Sequence, residues 1–324
     1  MIEIKQLCKR YGGHTAVSDL DITIESGKIY GFLGPNGAGK STTMNIITGC
    51  LAATSGQVII DGYDIFEQPV EAKRLIGYLP EQPPVYQDMT PNEYLYFVAR
   101  AKGVSRANIK AQIANAKNVT KIEDVSDRLI RHLSKGYRQR VGIAQAILGE
   151  PKIIILDEPT VGLDPKQIIE TRDLIRELGK THTVILSSHI LSEVRSVCDV
   201  IMIISQGRLV ATDTPANLEK LYSQSFIKIR VRADFDEVRQ VLTGVSGVVG
   251  LVCTGLPGGF TEVDISTDSS DGLEEAVFFA FSDARLPIVM MQSSRASLED
   301  IFIELTQPEQ HEPEMQEEEG KGAQ

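Results

Sequence analysis

The 324-residue chain has no tryptophan, four cysteines, five histidines and no surplus of positive charge. Its 33 lysines and arginines stand against 44 aspartates and glutamates, a formal net charge of −11. That balance argues against a general nucleic-acid binder, which carries a basic face. Cys8, Cys50, Cys198 and Cys253 are scattered with no Cys-x-x-Cys spacing, so reduced thiols in a cytosolic setting are expected. No apolar run approaches the roughly 18–20 residues that cross a bilayer. The N-terminal MIEIKQLCKRYGG places charges where a signal peptide needs an apolar core. Any work at a membrane then requires something else to hold the chain there.

What is present reads as a globular α/β chain, 42% hydrophobic and 24% charged, long enough for two domains. Over the first 220 residues, β-branched runs such as GQVIIDG, KIIILDE and HTVILSSH alternate with helical stretches, the pattern of a largely parallel sheet. PKIIILDEP is continuously apolar between prolines and predicts a strand buried on both faces. Residues 83–150 read as a helical insertion. From about residue 221 to 306 the order is strand, helix, two strands, helix, strand, with a last helix opened by a Ser297-x-x-Asp300 capping box. A β-α-β-β-α-β order of this size predicts a small ferredoxin-like α+β domain. The acidic stretch 307–324 has too little apolar surface to offset chain entropy and is expected to be disordered.

Two motifs carry chemistry. GFLGPNGAGKSTT contains Gly34-x-x-x-x-Gly39-Lys40-Ser41 between an apolar strand and a helix. Its glycines let backbone N–H groups converge on phosphate oxygens, and the helix N-terminus adds its dipole. Lys40 would reach the β- and γ-phosphates and the Ser41 hydroxyl would ligate Mg²⁺. IIILDEP supplies Asp157 at a strand end, where an open α/β sheet places its ligand groups, as a direct or water-mediated Mg²⁺ ligand. Glu158 follows as a candidate general base. The pair of motifs predicts Mg²⁺-dependent nucleoside triphosphate hydrolysis. His189, in LSSH after another apolar run, reads either as a structural histidine or as a γ-phosphate contact at the same sheet edge.

With LSKGYRQR (133–140) and GLDP added, the motif set resembles the nucleotide-binding subunit of an ATP-binding cassette (ABC) transporter, over residues 1 to about 220. IGYLPE, LSKGYRQR and SLEDIFIELT look like the branch serving ABC-2 type exporters. The resemblance implies a P-loop NTPase fold: a mainly parallel sheet, an antiparallel N-terminal β part and a helical subdomain. It implies that Tyr11 stacks on adenine (a half-buried strand tyrosine is the other reading), and that Gly34, Pro35, Asn36, Gly37, Ala38, Gly39, Lys40, Ser41 and Thr42 form the P-loop. It implies Asp164 as an inter-subunit loop residue and His189 as the switch histidine. Ser134, Lys135, Gly136 and Tyr137 match the signature that completes the partner subunit's site. Two positions depart from the family pattern. Glu81 stands where a Mg²⁺-contacting glutamine is usual, with Gln82 beside it, and a solvated loop acid is an equal reading. Lys135 and Tyr137 replace the glycine and glutamine of LSGGQ.

One P-loop leaves the γ-phosphate open on one side, while phosphoryl transfer needs stabilising groups all around it. A paired ATPase, homodimeric or with a different ATPase subunit, is therefore implied. So is a separate membrane permease, with the chain peripheral on the cytoplasmic face of a prokaryotic membrane. The rivals are a soluble ABC-type ATPase acting on nucleic acid or ribosomes, and a nucleotide-binding regulator without turnover. A single cassette, no sustained heptad repeat and the acidic charge weigh against the first, and Glu158 against the second.

Overall fold

The computed structural model describes residues 1–221, 225–267, 272–295 and 298–306. The expected disordered tail and Ser297 of the predicted capping box lie outside them.

The N-terminal strands β1 (Ile2–Tyr11), β2 (His14–Ile24), β4 (Ser55–Ile60) and β5 (Tyr63–Asp64) form an antiparallel sheet in the order β2-β1-β4-β5. The second sheet uses β3 (Ile29–Leu33), β6 (Ile76–Leu79), β7 (Ile153–Leu156), β8 (Thr183–Ser188), β9 (Val200–Ser205) and β10 (Arg208–Asp213). Its order is β10-β9-β3-β8-β7-β6, parallel throughout except for the edge pair β9–β10. As expected for a parallel sheet, β3, β7 and β8 are buried at every position. The period-2 alternation divides β7 between two cores. Ile153 and Ile155 face the antiparallel sheet, and Ile154 and Leu156 face the helices. Each such side chain contributes about 1.5–3 kcal/mol by leaving water.

Helix α1 (Lys40–Ile47) follows β3, and α2 (Pro69–Arg74) precedes β6. Helices α3 (Pro91–Ala101), α4 (Ile109–Thr120) and α5 (Lys135–Ile147) pack on one another within the predicted helical insertion. Thr90 starts α3 for a local reason: it forms a reciprocal capping box with Glu93, and Pro91 occupies the first turn. α6 (Pro165–Gly179), α7 (Leu191–Val197) and α8 (Pro215–Leu221) complete the larger part.

The C-terminal run is β11 (Ser225–Val231), α9 (Phe235–Thr243), β12 (Val248–Leu256), β13 (Phe260–Thr267), α10 (Leu273–Asp283) and β14 (Ile288–Arg295). Its antiparallel sheet runs β12-β13-β11-β14, the ferredoxin-like arrangement the element order predicts. Its own core joins Ile227, Ile229, Val263 and Ile265 to Val238 and Leu242 of α9 and to Val277 and Phe281 of α10. Helix α11 (Leu298–Thr306) behaves differently. It packs on α7, α8 and β9, burying Ile301 in the core that also holds Leu218 and Val194.

Candidate active site

Parallel register brings the motifs together. Leu33 pairs with Ser188, Leu79 with Leu156, and Leu156 with Leu186, so β3, β6, β7 and β8 end along one edge. The segments leaving that edge carry the P-loop, Glu81, Asp157–Glu158 and His189. A cleft of about 470 Å³ opens there, lined by Asn36, Gly37, Gly39, Lys40, Ser41 and Thr42 together with Glu81, Glu158, Val161 and His189. Tyr11, His14 and Ala16 complete its lining. Gly34, Pro35 and Ala38 form the loop's support and do not line the cleft. Ala38 is buried, and its carbonyl accepts from Gly207 N at 3.0 Å. Gly39 cannot be replaced for two reasons: its φ is +103°, and a Cβ would lie 2.5 Å from the Ala16 carbonyl oxygen.

Lys40 Nζ donates to the Gly34 and Pro35 carbonyl oxygens at 2.8 and 3.3 Å and lies 3.7 Å from Glu158 Oε1. Lys40 is 6% exposed and Glu158 8%. Burial pushes the Lys40 amine pKa below its ordinary value, while the Glu158 and Asp157 carboxylates oppose that shift. Glu158 has a left-handed backbone, φ +47°, a conformation uncommon for a side-chain-bearing residue and one that clusters at functional sites. Its Oε2 is 3.0 Å from His189 Nδ1. Asp157 accepts from Ser41 Oγ at 3.3 Å and from Ser187 Oγ at 2.5 Å.

A serine hydroxyl beside a carboxylate is the oxygen donor set that Mg²⁺ prefers, the remaining positions being left to phosphate and water. Among the described residues no three carboxylate, histidine or cysteine side chains converge on one point. Ser41 and Asp157 are the residues that would hold such a metal. Glu81 lines the cleft, whereas Gln82 does not.

The signature lies elsewhere. None of Ser134, Lys135, Gly136 or Tyr137 lines the cleft. Ser134 caps α5, accepting from Tyr137 N at 3.3 Å. Gly136 is packed so closely on α6 that a Cβ would come within 2.5 Å of Gln167 Oε1. The two departures from LSGGQ face their own chain. The Lys135 side chain lies over Gly162, and the Tyr137 hydroxyl donates to Asp124 Oδ2 at 2.8 Å, with the Arg140 guanidinium 5.8 Å from the Tyr137 ring centre. Asp164 caps α6 by accepting from Gln167 N at 2.9 Å. Tyr11 is about half exposed, with Lys9 Nζ 5.1 Å from its ring centre.

Sequence reasoning passed over His14 and Ser187. His14 pairs with Tyr11 across the Gly12-Gly13 turn, a two-residue glycine hairpin signal that would have placed it in the cleft. Ser187 is fully buried and also accepts from Glu158 N at 2.9 Å, so it holds both acidic residues of the motif. Only register reveals that.

The ABC transporter family model matches residues 17–161. SrtF, a lantibiotic transport ATP-binding protein of Streptococcus pyogenes, is 36% identical over 231 residues, 70% of this chain and 98% of that protein. The chain belongs to the ABC transporter ATP-binding family. LnrL, a linearmycin resistance ATP-binding protein of Bacillus subtilis (strain 168), is 29% identical over 308 residues, 94% of this chain and 98% of that protein. BcrA, a bacitracin transport ATP-binding protein of Bacillus licheniformis, is 40% identical over 212 residues, 65% of this chain and 68% of that protein. Among solved structures, the ATP-binding subunit of an ABC transporter aligns with TM-score 0.63 and 32% identity, covering 68% of this chain and 93% of that one. A dimeric ATP-binding cassette in a post-hydrolysis state with ADP and Pi aligns with TM-score 0.60 and 25% identity, covering 66% and 98%. As an ABC ATPase the chain binds nucleotide and powers membrane transport by hydrolysis. No helix among the described residues is long and apolar enough to cross a membrane.

Proposed function

We propose that the chain is the Mg²⁺-dependent ATPase subunit of an exporter, working as a closed pair on a separate permease at the cytoplasmic face of a membrane. The observation that carries the reading is the split site. Lys40, Ser41, Asp157, Glu158 and His189 converge at one sheet edge, and the signature residues line no part of that cleft. A site split in this way supports completion by a second subunit, a copy of this chain in the economical case, whose Ser134 and Gly136 would face the phosphates held by Lys40. Asp164 would serve the loop between the subunits.

Within each half, Lys40 binds the phosphates and Tyr11 the base. Ser41 and Asp157 hold Mg²⁺, with Glu81 facing the same cleft. The metal supplies charge neutralisation at the phosphates. Glu158 takes a proton from the attacking water, and His189 fixes its carboxylate. Binding favours the closed pair and product release the open one, so nucleotide distinguishes two states, as any driven conformational change requires. The relatives' names refer to three different compounds, two of them in transport and one in resistance, which supports a shared engine with the cargo chosen by the permease. We take residues 1–220 as the ATPase domain, with 83–150 as the permease-facing helical subdomain, 221–306 as the accessory stretch, whose last helix α11 seats on the ATPase domain, and 307–324 as a tail.

Glu158→Gln is expected to retain ATP binding, to lower turnover by at least about 100-fold and to trap an ATP-bound pair in size-exclusion chromatography. Full activity in that variant would overturn the assigned base. Lys40→Ala should lose ATP affinity. Co-purification of the chain with a multi-span membrane protein tests the transport assignment.

A further inference from the structure

A buried carboxylate beneath the catalytic pair has no part in the hydrolysis just described. Glu193, in the first turn of α7, is 5% exposed. Its Oε2 accepts from Thr160 Oγ1 at 2.5 Å and from Ser188 Oγ at 3.1 Å, and its Oε1 stands 4.0 Å from Arg172 Nη2. The three partners lie on three segments. Thr160 follows Glu158 by two residues and begins the stretch that leads to Asp164. Ser188 ends β8 immediately before His189, and its Oγ also accepts from Ile190 N at 3.0 Å. Arg172 belongs to α6, the helix that Asp164 caps.

Withdrawing a carboxylate from water costs several kcal/mol unless partners compensate it. A surface glutamate would avoid that cost, so its burial here calls for partners on every side. Those partners are unequal. Oε2 is fully engaged by two hydroxyls. Oε1 is held only loosely, since 4.0 Å exceeds a hydrogen bond, and Arg172 Nε is buried with no hydrogen-bond partner. The charge is thus fixed at the strand end and has room to tighten toward α6.

We propose that Glu193 is a positioning residue that couples the His189 turn to the Thr160–Asp164 segment, so that the catalytic edge and the inter-subunit loop move together. This rests on the roles assigned above to Glu158, His189 and Asp164. Hydroxyl bonds from Thr160 and Ser188 set where Glu158 and His189 leave their strands. The ion pair with Arg172 transmits that position to α6 and hence to Asp164. Thr160, Arg172, Ser188 and Glu193 line no part of the cleft.

The test uses the full chain and the variants Glu193→Gln, Thr160→Val and Ser188→Ala, each followed by kcat, KM, melting temperature and ATP-driven pairing in the Glu158→Gln background. The expected result is a kcat loss of about tenfold to a hundredfold, KM within about twofold of the parent and a nearly unchanged melting temperature. Pairing should require more ATP. The double variant Thr160→Val/Glu193→Gln should be no worse than the poorer single, because both cut one path. Unchanged kcat and pairing, or losses that merely follow melting temperature, would overturn the coupling. Should Glu193→Gln fold poorly, Thr160→Val removes a single hydroxyl and carries the test alone. Wild-type turnover abolished by Glu158→Gln, together with an unaffected Glu193→Gln, would sink the coupling and leave the parent reading intact. Activity surviving in Glu158→Gln would overturn both.

Discussion

At the residue scale, the two signature departures have a local explanation. Tyr137 has its hydroxyl on Asp124 and its ring beside Arg140, which in turn pairs with Glu170 of α6. Asp124 holds the phenol pKa above its ordinary value by accepting that hydrogen bond. The side chain therefore ties the start of α5 to the turn at Glu123–Val125. Tyr137→Phe should lower stability in denaturant melts by about 1 kcal/mol while leaving kcat within about twofold. A collapse of kcat at unchanged stability would instead give the hydroxyl a role toward the partner's nucleotide. Lys135→Gly should behave in the same direction but by less than the roughly 1 kcal/mol glycine costs in a helix interior, since Lys135 is the first residue of α5.

At the element scale, the end of α5 depends on a residue from another helix boundary. Lys102, just after α3, donates to the carbonyls of Gln145, Ala146 and Leu148 at 2.8, 3.0 and 2.9 Å. These are the carbonyls a helix terminus leaves without intrahelical partners. Burial lowers the amine pKa to about 8. Between that value and the unfolded value of about 10.4, the unfolded chain holds a proton that the native chain has released. Stability from this group accordingly rises with pH across the window and is lost as pH falls through about 8. Replacing Lys102 with methionine should remove that slope and cost about 1 kcal/mol at neutral pH. Urea unfolding from pH 7 to 10 measures both. The helices themselves were largely legible: Thr90-Pro91 and Asp164-Pro165 announce α3 and α6. The Lys102 cap was not, because it joins residues more than 40 positions apart.

At the scale of the whole molecule, the chain leaves the larger part after α8, builds the ferredoxin-like sheet and returns through α11. Ile301 is 1% exposed against the core of the larger part, whereas Ile303, two residues on, is 52% exposed. Ile301→Ala should cost about 2–5 kcal/mol in equilibrium unfolding, and Ile303→Ala less than about 0.5 kcal/mol. Equal effects would mean that α11 does not seat on the core. The element order alone grouped α11 with the C-terminal strands. Its amphipathic pattern shows that one face is buried, but not against which core.

The glycine-rich loop before α1, Asp157 with Glu158 at the end of β7, the strand-helix alternation and the β-α-β-β-α-β order are legible in the residues alone. In each case the physics is local: glycines before a helix let backbone N–H groups converge, and a β-branched run ending in acids makes a buried strand with those acids at its edge. Tertiary structure alone decided that Ser187 holds both acids, that Glu193 joins Thr160 to Ser188, that His14 enters the cleft and that Tyr137 turns toward Asp124. Those contacts depend on register and helix placement, through which residues tens of positions apart come within hydrogen-bond range. No spacing along the chain encodes them.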